Sequence, residues 1–316
     1  MLREAAVVER RRPVGGTVVW RGPSKVRSKE NLVSGQLTLD VYNSGYKSIA
    51  SIVPGWPEGK QATWPASTAT LISGDTDAVL VDALLTNDDA DALVDFIRKS
   101  GKNLTTVYVT HGHGDHFFGL PAILRAFPRA KAVALPEVIP ACVGQTTADL
   151  MAFWNATFPG QLPAERVIPE ALGGNTLLLE DHELRFVNVG QSDTHPSSVV
   201  HIPDLDAVVG GDVAYNGIHM WMQQTDHDAR MGWLKALDII EGLAPRVLVA
   251  GHKDPSGSDE DVAGTLADSR KYIRDFDKAV ASSTTPAEVV EKVMAEHKGR
   301  GNEYTLWFGA QAQFPS

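Results

Sequence analysis

The chain has 316 residues, of which 43% are hydrophobic and 22% charged, and carries a formal net charge of −10. That composition suits a globular protein with a sizeable core, and the acidic balance argues against a nucleic-acid backbone as partner, because phosphate binding needs a basic surface. A lone cysteine, Cys142, rules out an internal disulfide and limits thiolate metal ligation to one group.

No apolar run approaches the ~18 residues that would span a bilayer, so no membrane segment is expected. The N-terminal stretch holds Arg10, Arg11 and Arg12 without a following apolar segment. Residues 1–34 therefore read as an extension or irregular lead-in, residues 35–316 as one domain, and the protein as cytoplasmic.

QLTLDVY (36–42) reads as a first strand, followed by a Pro-rich loop to Pro65 in which Trp56 and Trp64 serve local packing in the first instance and a substrate platform in the second. STATLIS (67–73) and DAVLVDA (77–83) pattern as a hairpin, with Asp82 placed to support a nearby site. A helix over 87–100 has acidic residues at its start, Arg98 and Lys99 at its end, and Gly101 as its stop. The strand 105–110 then completes a βαβ crossover.

That strand runs into VYVTHGHGDHFFG, which sets His111, His113, Asp115 and His116 around Gly112 and Gly114. Imidazoles and a carboxylate are the donors zinc prefers, and the paired glycines are expected to let the backbone turn sharply enough for them to converge. A metal-binding loop is the reading. Helices over 118–128 and 145–158 follow, the latter with Met151, Phe153, Trp154 and Phe158 as core and an exposed apolar face that would suit a homodimer.

NTLLLE with ELRFVNV (175–189) forms a second hairpin, with His182 an exposed turn residue, and SSVVHIP with DAVVGGD (197–212) a third. Helices are expected near 228–242, 258–279 and 286–297. Three later strand ends carry possible metal donors: Gly211-Asp212, Gly251-His252, and Gly190-Gln191 with His195 four residues on.

His-x-His-x-Asp-His after one strand, Asp212 after a later strand and His252 after the last resemble the metallo-β-lactamase superfamily over roughly residues 36–255. The resemblance implies an α/β (α+β) fold, a four-layer αββα sandwich of two similar halves. It matches His111 and His113 to a first metal position, Asp115, His116 and His252 to a second, and Asp212 to the carboxylate between them. One position departs from the pattern: Gln191 stands where a third histidine of the first site belongs.

Either His195 replaces that ligand or it lines the pocket and donates a proton. The departure favours one firmly bound Zn2+, with a second metal weak or absent. Asn216, four residues past Asp212, is then either a further ligand or a turn residue before Gly217. As a ligand it would resemble the single-zinc chlorothalonil-type hydrolytic dehalogenases.

The expected function is zinc-dependent hydrolysis of a small, largely apolar molecule: an ester, lactone or activated aryl halide. Asp212, His113 and His195 are the candidate acid–base groups. Phe117, Phe118, Met220, Trp221 and Met222 are candidate pocket walls. A catalytically decayed metal- or ligand-binding relative is the alternative from another class.

Overall fold

A computed structural model describes residues 18–21 and 35–314 of the chain. Two sheets lie at its centre. The larger has seven strands in the order Val18–Arg21, Thr38–Asn43, Thr68–Ser73, Asp77–Val81, Asn103–Tyr108, Lys131–Ala134 and Glu170–Ala171. Its first four strands pair antiparallel, and the pairs from Asp77–Val81 onward are parallel. The smaller has five, in the order Thr176–Leu179, His182–Gly190, Ser197–Ile202, Ala207–Val209 and Val247–Val249.

Sequence pattern and position agree. Thr38–Asn43 alternates between buried and half-buried side chains, as a strand with one covered face should, whereas every side chain of Thr68–Ser73 is buried. All three expected hairpins form, and so does the crossover that parallels Asp77–Val81 with Asn103–Tyr108. Its helix spans Asn87–Ser100. Thr86 and Asp89 close a capping box at its start, and Gly101, with φ 70°, ends it in the left-handed region. Leu93, Val94 and Ile97 pack that helix onto the large sheet, each burial contributing about 1.5–3 kcal/mol.

Between the sheets, Tyr108 stacks on Phe186 with ring centroids 4.1 Å apart, and its hydroxyl lies 2.8 Å from Ser198 Oγ. On the outer face of the small sheet, Trp233, Leu237 and Ile240 of helix His227–Gly242 join Leu266, Ile273 and Phe276 of helix Val262–Ala281 in a second core. The layers run helix, sheet, sheet, helix. Among the described residues no helix is long and apolar enough to cross a membrane.

Several expectations are corrected. Val18–Arg21, inside the supposed irregular lead-in, is a strand paired with Thr38–Asn43; residues 1–17 and 22–34, including the arginine cluster, lie outside the described residues. The helix expected over 145–158 forms as Ala148–Thr157, and a second, Ile139–Gly144, precedes it where none was expected. Ala148–Thr157 turns its large rings inward and exposes Ala148, Asp149, Ala152, Asn155 and Ala156, small or polar side chains in place of large apolar ones.

His182 is buried, bridging Asp204 Oδ2 at 2.6 Å and the Gly35 carbonyl at 2.8 Å. A further helix, Glu303–Ala312, was not anticipated; Asn302 caps it through Thr305 N.

Candidate metal centre

The ligand loop leaves the large sheet at Tyr108 and enters the short helix Gly114–Phe117. Its glycines are required by crowding rather than by turning, since neither Gly112 nor Gly114 has positive φ. A Cβ on Gly112 would stand 2.4 Å from Ala141 Cβ and 2.9 Å from Cys142 N. Helix Ile139–Gly144 can therefore press directly on the loop.

Four imidazoles converge there, each with one nitrogen tied to an acceptor behind it. His116 Nδ1 donates to Asp82 Oδ2 at 2.8 Å. The Thr110 hydroxyl donates to the same carboxylate, leaving its oxygen to accept from His111 Nδ1 at 3.0 Å. His252 Nδ1 donates to the Ala66 carbonyl at 3.3 Å, and His113 Nε2 to Gln224 Oε1 at 3.1 Å. The opposite nitrogens, Nε2 of His111, His116 and His252 and Nδ1 of His113, are thus the ones presented to the centre. Metal-binding histidines are held in this way, by a hydrogen bond from the nitrogen that does not bind.

These donors form two groups, each drawn within 4.8 Å: His111, His113, Asp193 and Asp212, and beside them Asp115, His116 and His252. Asp212 stands between the groups, its Oδ1 3.2 Å from His116 Nε2 and its Oδ2 3.1 Å from His252 Nε2. Tyr215 donates to Asp212 Oδ2 at 2.8 Å, and Trp64 Nε1 donates to Asp115 Oδ2 at 2.9 Å. His111 Nε2, His116 Nε2, Asp193 Oδ2 and Asp212 Oδ1 are buried and make no well-formed hydrogen bond, their near polar neighbours being only the other donors of the centre. One such atom costs about 1–3 kcal/mol, so four converging together fit a divalent cation far better than an empty core.

The sequence missed Asp193. The strand His182–Gly190 ends in a register shift, with Gly190 at φ 75°, and the chain then turns. Gln191 packs away from the centre against Gly232, its amide donating to the Ser192 carbonyl. Two residues on, Ser192 Oγ holds Asp193 Oδ1 at 2.8 Å, while Asp193 Oδ2 lies 2.8 Å from His113 Nδ1. A carboxylate sits where the expected histidine is missing. His195 is exposed and joins neither group.

Asn216 is not brought to the centre. Tyr215 faces Asp212 and His252, and alternation along the strand Tyr215–Asn216 sends the next side chain the other way. There Asn216 Nδ2 donates to the Ser258 carbonyl at 2.8 Å.

Charge coupling in the centre is strong. Burial, with His116 nearby, pushes His111 down to about 3. Burial opposes protonation of His113 and His252 as well, but the Asp193 carboxylate holds His113 at about 9, and Asp212 with Asp115 holds His252 at about 10. Both are therefore protonated at neutral pH while no cation is bound, and a cation must displace those protons. Cation uptake is expected to release protons and to tighten as pH rises from about 6 towards 9. Calorimetry in buffers of differing ionisation enthalpy would measure the release, and a pH-independent affinity would contradict it.

A cavity of about 190 Å3 opens above the centre, reaching His113, Asp115, Asp212 and His252. Its walls are Trp64, Phe153, Trp154, Trp221 and Phe308. Of the five apolar residues expected beside the metal only Trp221 lines it, because Phe117, Phe118, Met220 and Met222 are fully buried in the cores. Trp64, for which local packing is the first expectation and a substrate platform the second, both walls the cavity and holds Asp115. Phe308 arrives on the unanticipated last helix.

The sequence profile described as Metallo-beta-lactamase superfamily matches residues 62–252, more than half of the chain. A hydroxyacylglutathione hydrolase from Actinobacillus pleuropneumoniae serotype 5b (strain L20) is 36% identical over 67 residues, which is 21% of this chain and 27% of that protein. Among solved structures, a metallo-beta-lactamase from Pontibacter korlensis superposes with a TM-score of 0.55 at 16% identity, covering 78% of this chain and 98% of the other. A stereoselective inverting sec-alkylsulfatase from Pseudomonas sp. gives 0.56 at 17% identity, covering 78% and 47%. At such identities the structural likenesses speak to fold alone.

Proposed function

The chain belongs to the metallo-β-lactamase superfamily, and from that premise we propose that it is a zinc-dependent hydrolase acting in the cytoplasm on small, largely apolar molecules such as esters, lactones or activated aryl halides. The observation that carries the reading is the convergence of metal-binding donors beneath a cavity walled by aromatic rings. His111, His113 and Asp193 would hold one cation, Asp115, His116 and His252 a second, and Asp212 would be shared between them. When bound, zinc supplies Lewis acidity and brings the acidity of water into the neutral range.

The chain's own groups then divide the work. Asp212, with Oδ1 facing His116 Nε2 and Oδ2 facing His252 Nε2, would serve as the ligand common to both cations and orient attacking water from there. Tyr215 and Trp64 fix Asp212 and Asp115 through their second oxygens. His113, clamped between Gln224 and Asp193, serves as a ligand rather than a mobile base, and His195 is given no part.

An aryl halide stays within this substrate class because of the cavity walls. The specifically chlorothalonil-type, single-zinc reading loses its main support with Asn216 bound to Ser258. A decayed relative is disfavoured by the intact donor set.

Elemental analysis of the purified protein is expected to find close to two zinc ions per chain. Hydrolysis of 4-nitrophenyl acetate should disappear on chelation and return on zinc addition. Chelation should also lower Tm, since a ligand of the folded state alone stabilises it. Turnover indifferent to chelation would refute the proposal.

A further inference from the structure

The wall of the cavity says more about what enters it than the metal donors do. Trp64 and Trp221 lie with ring centroids 5.2 Å apart, Trp221 stacks on Phe308 at 4.9 Å, and Phe308 meets Phe153 at 5.7 Å. Flat, apolar surface of this kind favours another flat ring. None of the lining residues is Lys or Arg. Away from the metal donors, the polar side chains that line it are Gln145, Gln223 and Gln224, all neutral amides.

Two of those amides are already committed, Gln145 Oε1 accepting from Trp154 Nε1 and Gln224 Oε1 from His113 Nε2. Trp221 Nε1 is different: it is a buried donor with no hydrogen-bond partner among the described residues. The ring lines the cavity but its N–H is closed off from it, so recognition there falls to the ring faces.

We propose that the cavity selects uncharged, flat aromatic substrates and rejects those bearing an anionic group away from the reacting bond. Such an anion would lose its water among aromatic rings and meet no cationic side chain in return. The selection bears on the relatives too, because a substrate built on glutathione carries carboxylates that this wall could not pair. The inference rests on the hydrolase reading for the identity of the site, but binding tests it separately from turnover.

Calorimetry on the zinc-loaded full chain would compare benzamide with benzenesulfonate, a flat anion that is a poor zinc ligand. Benzamide is expected to bind at least tenfold more tightly. Toluene should bind as well, since the ring faces carry the recognition. Among ester substrates, kcat/KM should fall about a hundredfold or more from 4-carbamoylphenyl acetate to 4-carboxyphenyl acetate.

Equal binding of benzenesulfonate would overturn the proposal, as would failure of both neutral ligands to bind. If the neutral ligands bind as described but no aryl ester is turned over, the cavity's selectivity stands and the hydrolase reading falls.

Discussion

His116→Ala or His252→Ala is expected to remove at least one zinc per chain and to lower hydrolysis about a thousandfold or more. Each imidazole presents an Nε2 to the group that includes Asp115, and each faces Asp212, the carboxylate common to both positions. Losing either one leaves a cation with too few donors. It also leaves buried carboxylates facing one another without the imidazole that separates them, and removing one partner from a buried charge set costs about 3–5 kcal/mol. The variants should therefore melt lower as well as bind less metal. Elemental analysis and a thermal melt check both outcomes. A variant that keeps its full zinc complement and its rate would show that the reactive centre lies elsewhere.

The four histidines and Asp115 could be read from the sequence because they lie within a few residues of a strand's end, where a short turn fixes which way several side chains point. Hairpins and the capped helix Asn87–Ser100 were legible for a related reason: their signals lie within a few neighbouring residues. What escaped depended on distant packing. Trp64 looked like filler in a proline-rich loop, and only the folded chain brings its indole to Asp115. Phe308 reaches the cavity from a helix at the far end of the sequence.

Asn216 misled through counting. Four residues past Asp212 placed it on the right loop, but the two-residue strand it occupies turned Tyr215 inward in its stead. The glycines of the ligand loop do not turn the chain: Gly112 makes room for Ala141 and Cys142, and Gly114 for the rings of Phe118 and Trp154. In each case the local pattern was real, but which face it served was decided by a neighbour the sequence does not name.

Asp193 shows the same failure with the largest chemical consequence. In Gln-Ser-Asp-Thr-His, positions 191–195, a carboxylate among small polar residues reads as a turn former, and attention goes to the amide before it and the histidine after it. The bulge at the end of His182–Gly190 shifts the chain so that Asp193 takes the place beside His111 and His113. With it, each position has two imidazoles and one carboxylate of its own, plus a share of Asp212. Gln191 suggests one strong and one weak site, whereas under the two-cation proposal this donor set would make them alike.

Asp193→Asn is then expected to lower zinc from about two to about one per chain and to slow hydrolysis about tenfold to a hundredfold, the neutral amide being the poorer donor. Gln191→Ala and His195→Ala should each retain both ions, since neither side chain reaches the centre. Cobalt substitution supplies a reading independent of rate: the visible absorption of the cobalt-loaded protein should lose about half its intensity in Asp193→Asn and be unchanged in the other two. A wild-type protein with a single zinc that ignores Asp193→Asn but leaves with Gln191→Ala would put the amide back in the site and make the carboxylate a bystander.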